Sequence, residues 1–200
     1  MLAPPMAALS DGAGLRAQRR RLLSSANGAT LEIHGFGTGR NLGLYGDAIT
    51  ELVLVQPANH VDERLESLVA ASGKDARIVN ATGSELPFSP RSFDTVVATL
   101  ALCFTDDLAA AVADIARVLR PGGRLLFLEH VRSPTPGLAR WQDRLSPAWH
   151  AIAVGCNCNY DTLASIEASP LRVEWYERSV LPLFPPLVRP LIFGTAIAPT

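Results

Sequence analysis

The chain has 200 residues, 48% of them hydrophobic and 18% charged, with a formal net charge of −1. That length suits one domain with a sizeable core, and the composition is too apolar for a disordered chain. The near-neutral balance gives no overall attraction to nucleic acid or to an anionic membrane, and the three cysteines (Cys103, Cys156, Cys158) are too few for a disulfide framework, which fits a reducing, cytoplasmic setting.

The start, residues 1–9, is apolar but short, lacks a preceding basic region and contains two prolines, so it is a poor signal peptide. Arg16, Arg19, Arg20 and Arg21 are read as the solvated face of an N-terminal helix, within a helical segment 1–28. Residues 29–33 form a short buried strand that runs into a glycine-rich turn. An apolar run at 52–55 is the second strand. Val61, Leu65, Leu68 and Val69 have helical spacing, so 61–71 is a helix, and 77–79 is a third strand.

The Val- and Thr-rich stretch 93–102 is a fourth strand, and 108–119 is a helix with Leu108, Val112, Ile115 and Leu119 on one face and Asp106 and Asp107 as its caps. Pro121 and the two glycines after it stop that helix before a fifth strand at 124–128. After Glu129 the rhythm changes: a helix at 138–154 carries Trp141 and Trp149, both expected in the core, a second helix spans 161–168, and strands at 171–177 and 191–198 finish the chain. Apolar strands alternating with amphipathic helices predict an α/β fold with a mostly parallel sheet covered on both faces. No run of about 18 apolar residues is present, so no transmembrane helix is expected. The apolar tail 180–197, broken by Arg189 and several prolines, leaves room for a peripheral membrane contact.

The sharpest local signal is Leu31-Glu32-Ile33-His34-Gly35-Phe36-Gly37-Thr38-Gly39. Closely spaced glycines after a strand let the backbone approach a ligand at the carboxyl edge of a sheet, although a tight strand-to-helix turn alone uses the same residues. A dinucleotide fingerprint needs glycine at the sixth position, where this chain has Arg40, so a nicotinamide-dependent reductase is disfavoured.

Three segments together resemble the class I S-adenosylmethionine-dependent methyltransferases: the glycine turn, Leu86-Pro87-Phe88 with Ser92-Phe93-Asp94-Thr95-Val96-Val97, and Arg117-Val118-Leu119-Arg120-Pro121-Gly122-Gly123-Arg124-Leu125. Leu102-Cys103, Glu129-His130-Val131, Trp141-Gln142 and Gly155-Cys156 with Asp161-Thr162 are similar to the branch of the methyltransferase-like thiol methyltransferases, and more distantly to the ubiquinone/menaquinone C-methyltransferases. The resemblance implies one Rossmann-like domain over 1–200, with a seven-stranded sheet in the order 3-2-1-4-5-7-6 and a helical acceptor-side insertion at 132–170. It implies S-adenosylmethionine as cofactor and a small, lipophilic acceptor: a thiol first, then a phenol or quinone-type compound. A catalytically silent protein of the same fold is the alternative.

Carried over by position, Gly35, Gly37 and Gly39 approach the methionine and adenosine parts, with Thr38, Asn41 and Pro57 beside them. Glu32 faces the cofactor amino group, Gln56 the ribose, and Thr82, Gly83 and Ser84 the adenine; Leu100, Leu102 and Cys103 border the methionine portion and the acceptor. Two positions depart from the family. His34 adds a residue between the acid and the first glycine, so either a bulge absorbs it or Glu32 turns to the other face. Gln56 stands where the family has Glu or Asp.

Methyl transfer mainly requires holding the nucleophile in line with the methyl group. A thiol, with a pKa of about 8.5, needs less help to ionise than a phenol or a carbon acid. His130, just beyond the fifth strand, is the candidate base. Cys156 and Cys158 with His150 do not have zinc-ligand spacing, and no metal ligands are assigned.

Overall fold

The computed structural model describes residues 13–33, 39–57, 63–153, 155–181 and 184–200. In chain order the elements are α1 (Ala13–Leu23), β1 (Gly28–Ile33), β2 (Ile49–Gln56), α2 (Glu63–Ala71), β3 (Ala76–Asn80), β4 (Phe93–Thr99), α3 (Leu108–Val118), β5 (Leu119–His130), α4 (Pro136–Ile152), α5 (Thr162–Glu167), β6 (Arg172–Val180) and β7 (Pro190–Ile197). Short 3-10 turns stand at Leu42–Leu44, Leu102–Phe104 and Pro186–Val188.

The strands form one seven-stranded sheet in the order β3-β2-β1-β4-β5-β7-β6. The five strands from β3 to β5 run parallel, and β7 is antiparallel to both of its neighbours. This is the expected order. Side chains alternate between the two faces of each strand. Leu31, Ile33, Val53, Val55, Val96, Ala98, Leu125 and Phe127 face the side covered by Val112 and Ile115 of α3 and Ile166 of α5. Leu52, Leu54, Val97, Leu126 and Leu128 face the other side, with Leu22 and Leu23 of α1 and Leu65 of α2.

Several boundaries differ from the sequence expectation, each for a local reason. β4 ends at Thr99, because Leu100 adopts a left-handed conformation (φ 53°) and the chain then coils into the 102–104 turn. β5 begins five residues early: Leu119 already pairs with Phe93 before the Pro-Gly-Gly segment interrupts the register. Of the two expected caps, Asp107 performs the role and accepts from the Ala110 N–H at 2.9 Å. Trp141 is not in the core, being 57% exposed. Eight residues of helix leave it about 80° away from Trp149, and Gln142 takes the buried position instead. Among the described residues no helix is long and apolar enough to cross a membrane.

The β6–β7 ladder requires a residue without a side chain at Gly194. A Cβ there would collide with the Trp175 carbonyl oxygen and lie 2.7 Å from Tyr176 Cα, both backbone atoms of β6. Gly194→Ala is therefore expected to lower stability by about 3 kcal/mol, or about 6–12 °C in Tm. A thermal melt within 2 °C of the wild type would contradict this account of the ladder.

Candidate active site

In open α/β sheets ligands bind beyond the carboxyl ends of the strands, where the order of strands reverses. Here that point lies between β1 and β4, and the carboxyl ends of the parallel strands β1, β2, β3, β4 and β5 all lie at one edge.

Glu32 is the penultimate residue of β1 and is buried. Its Oε1 accepts from Asn41 Nδ2 and its Oε2 from the Tyr45 hydroxyl, each at 2.7 Å. Asn41 Nδ2 also donates to Thr99 Oγ1 at the end of β4 (3.0 Å). Arg19 of α1 closes the network by donating to Asn41 Oδ1 at 2.8 Å and Thr99 Oγ1 at 3.0 Å. Burial pushes the Tyr45 hydroxyl well above its ordinary pKa, and the Glu32 carboxylate adds to the shift, so Tyr45 stays a donor. Arg19 is 5% exposed and so is not part of the solvated basic face expected from the sequence. The reason is visible in the spacing: Leu15, Arg19 and Leu22 share one helical stripe, and that stripe faces the sheet.

The register also bears on His34. Thr30 to Ile33 pair without interruption with β2 and β4, so no bulge lies between those residues. His34, with Gly35, Gly37 and Thr38 of the glycine turn, lies outside the described residues. Gly39, the first described residue beyond, has φ +61°.

Gln56 ends β2 opposite Asn80 of β3 and is fully buried, and Pro57 follows it. Thr82, Gly83 and Ser84 form a tight turn after β3, with Thr82 bridged to Glu85. A Cβ on Gly83 would sit 3.2 Å from Ile33 Cγ2 and 3.4 Å from Thr105 Cγ2, so this turn leans on the end of β1 and on the segment that follows the 102–104 turn.

At β5 a second buried carboxylate organises the neighbouring turn. Glu129 Oε1 accepts from the Ala101 and Leu102 N–H groups at 2.9 and 3.1 Å, fixing the chain just after the left-handed Leu100. Burial pushes the Glu129 carboxyl up to about 7 despite these two hydrogen bonds. The next residue, His130, is buried with Nε2 3.1 Å from Cys156 Sγ. Trp149 Nε1 donates to the same sulfur at 3.3 Å. A hydrogen bond from Cys103 is the largest influence that holds the Cys156 thiol below its usual range, and His130 adds to it against the effect of burial. Burial disfavours charge on His130, but the Cys156 sulfur overrides it and raises the imidazole pKa.

The chain carries the methyltransferase-domain family signature over residues 31–127. It is 31% identical to human thiol S-methyltransferase TMT1A over 167 residues, covering 82% of this chain and 68% of that protein. Human thiol S-methyltransferase TMT1B is also 31% identical, over 195 residues, covering 92% and 79%. The chain belongs to the class I S-adenosylmethionine-dependent methyltransferases. Among solved structures, the [4+2]-cyclase SpnF matches with a TM-score of 0.69 at 17% identity, over 93% of this chain and 81% of that one. Likeness at that level shows the fold alone, and a fold hosts more than one chemistry.

In this methyltransferase three groups of the expected site residues that are described lie along one edge. Glu32 and Asn41 are bonded to each other; Gly83 reaches the end of β1; Cys103 meets His130 and Cys156. Sequence reasoning missed Arg19, Tyr45, Thr99 and Glu129 as parts of this edge. It also missed the role of Gln142, whose Nε2 faces the carbonyl oxygens of Val131, Cys158 and Leu187 at 3.1, 2.9 and 2.7 Å and whose Oε1 accepts from Ser133 N. The available signal was the Trp141-Gln142 pair in the family resemblance, which points to the residue but not to its partners.

Tyr45→Phe removes one of the two hydrogen bonds that Glu32 accepts from Asn41 and Tyr45. A hydrogen bond to a charged group contributes about 1.5–3 kcal/mol, so urea denaturation should show a loss in that range. A loss below about 0.5 kcal/mol would mean that Tyr45 does not support the buried carboxylate.

Proposed function

We propose that this methyltransferase binds S-adenosylmethionine at the β1–β4 edge and transfers its methyl group to a small, lipophilic thiol. The observation that carries the reading is the buried His130–Cys156 pair at the end of β5, an ionisable group on the ligand edge of a chain whose relatives include thiol S-methyltransferases.

The residues present fit the cofactor. A Cβ on Gly83 would crowd Ile33 and Thr105, so a small residue suits this turn, which in this reading lies against adenine. Gln56 ends β2 at the ribose position, Asn41 and Gly39 follow the glycine turn beside the methionine portion, and Leu100, Leu102 and Cys103 border the acceptor. The bound sulfonium supplies an electrophilic methyl with an activated leaving group. What remains for the protein is to exclude water, align the acceptor and promote its ionisation. The apolar turn 100–104 excludes water. His130 acts on the acceptor's proton, and a thiol demands the least of it.

Three measurements test the reading. With isotopically labelled cofactor, an alkyl thiol in a panel of thiols and phenols should yield the labelled thioether faster than any phenol yields an ether; a chain that binds cofactor yet methylates no thiol would overturn the acceptor class. His130→Ala should lower turnover by about 100-fold or more while cofactor affinity is kept; full turnover would remove His130 from the chemistry. A neutral amide has one oxygen for two ribose hydroxyls where a carboxylate has two charged ones. Gln56→Glu should therefore tighten S-adenosylhomocysteine by roughly ten- to thirtyfold in a calorimetric titration, and an unchanged or weaker affinity would show that Gln56 does not meet the ribose.

A further inference from the structure

Two cysteines and a histidine meet beyond the network that Glu32 organises. Cys103, His130 and Cys156 are 1%, 6% and 4% exposed. One ligand atom from each, two sulfurs and an imidazole nitrogen, lies within 4.8 Å of the others. The three arrive from the turn after β4, the end of β5 and the loop after α4.

The backbone around each is held by bonds that do not involve the three ligand atoms. Glu129 anchors the Ala101 and Leu102 N–H groups immediately before Cys103. The Asn157 N–H donates to the Cys103 carbonyl at 2.8 Å, and its side chain donates to the Cys103 and Thr105 carbonyls, which stitches the Cys156 loop onto the Cys103 turn. Gln142 binds the Val131 and Cys158 carbonyls on either side. The arrangement is therefore built before any ligand arrives. His130 Nδ1 is buried without a hydrogen-bond partner among the described residues, so Cys156 Sγ is the polar partner through which the ring is oriented.

Two thiolates and an imidazole form a borderline-soft donor set that suits zinc and lacks the oxygen ligands that magnesium and calcium require. Zinc bonds of about 2.3 Å to sulfur and about 2.0 Å to nitrogen place tetrahedral ligand atoms roughly 3.5–3.8 Å apart. The 3.1 Å separation of His130 Nε2 from Cys156 Sγ is within a small adjustment of that spacing. Three protein ligands are the number found in catalytic zinc sites, where the fourth position is left for water or substrate. The set escapes a spacing argument because topology, not a short motif, brings it together. Cys158 and His150, the neighbours that spacing alone suggests, are engaged elsewhere: Cys158 Sγ points at the Gln142 carbonyl and His150 Nδ1 pairs with Asn157 Oδ1.

We propose that Cys103, His130 and Cys156 bind a zinc ion whose fourth ligand is the sulfur of the acceptor thiol. The fourth ligand rests on the thiol reading above; the three-ligand site does not. His130 then acts on the acceptor through the ion and not as a free base. Metal binding displaces the thiol protons of the two cysteines to solvent. The acceptor thiol gives its proton to solvent as its sulfur coordinates. That sulfur's electron pair forms the new bond to the methyl carbon, the bond from methyl to sulfonium breaks, and its electron pair stays on the departing S-adenosylhomocysteine. The product is a neutral thioether, a weaker ligand, and it leaves.

The test is a cobalt(II) titration of the reduced full-length chain, with cysteines kept as thiols under anaerobic conditions. One equivalent should produce the sulfur-to-cobalt charge-transfer band and the intense visible bands of a four-coordinate ion, and zinc should displace it. Cys156→Ser and His130→Ala, checked for native circular dichroism, should each weaken cobalt affinity by about 100-fold or more, whereas Cys158→Ser should leave the spectrum unchanged. Absence of these bands in the reduced wild type, or their persistence in Cys156→Ser, would overturn the site. Adding 2-mercaptoethanol to the cobalt form should shift the visible bands. Bands that stay fixed while the thiol is methylated would overturn the fourth ligand alone, and intact bands with no thiol turnover would overturn the acceptor reading while leaving the metal site standing.

Discussion

A carboxylate withdrawn from water costs several kcal/mol unless donors meet its oxygens. Glu32 is placed in that position by β1, where it is 2% exposed. Its hydrogen bonds from Asn41 and Tyr45 bring in residues from beyond the glycine turn, and Asn41 in turn brings in Thr99 from β4 and Arg19 from α1. One buried charge thus fixes the exit of β1, the end of β4 and the position of the first described helix. A ligand that enters this edge meets a surface whose polar atoms are already oriented, which lowers the cost of ordering them on binding.

Glu129 does similar work near the end of β5. Its carboxyl anchors the turn after Leu100, a non-glycine residue held in a left-handed conformation that costs of order 1 kcal/mol or more and is tolerated where surrounding structure fixes it. The turn carries Cys103 toward His130, and Gln142 and Asn157 carry Cys156 to both. In the proposed function Glu32 supports the cofactor half of the site and Glu129 the acceptor half. Both belong to the central strands, so the rigid part of the fold sets the distance between them.

Much of this was legible in the sequence. The apolar strand runs and helical spacings placed the elements, and the three matching segments implied the strand order that the sheet adopts. The glycine turn stands out by the spacing of its glycines, and Gln56 is assigned by the family resemblance. What escaped had a common physical cause. Arg19 looked like one of four solvated arginines, because charge composition does not reveal which stripe of a helix turns inward; the Leu15–Arg19–Leu22 spacing did. The eight-residue spacing suggests that Trp141 shares a buried helix face with Trp149, but it leaves the two about 80° apart, and Trp141 is in water. Glu129 and the meeting of Cys103, His130 and Cys156 depend on contacts between distant segments, which no local pattern encodes.

The account depends most on the β1–β4 edge being a working cofactor site despite His34 and Gln56. Calorimetric titration of S-adenosylmethionine and S-adenosylhomocysteine into the full-length chain tests this directly. Saturable micromolar binding of both is the predicted result. The absence of heat at millimolar ligand would contradict it, because the fold would then be present without the site that the buried carboxylates are arranged to support.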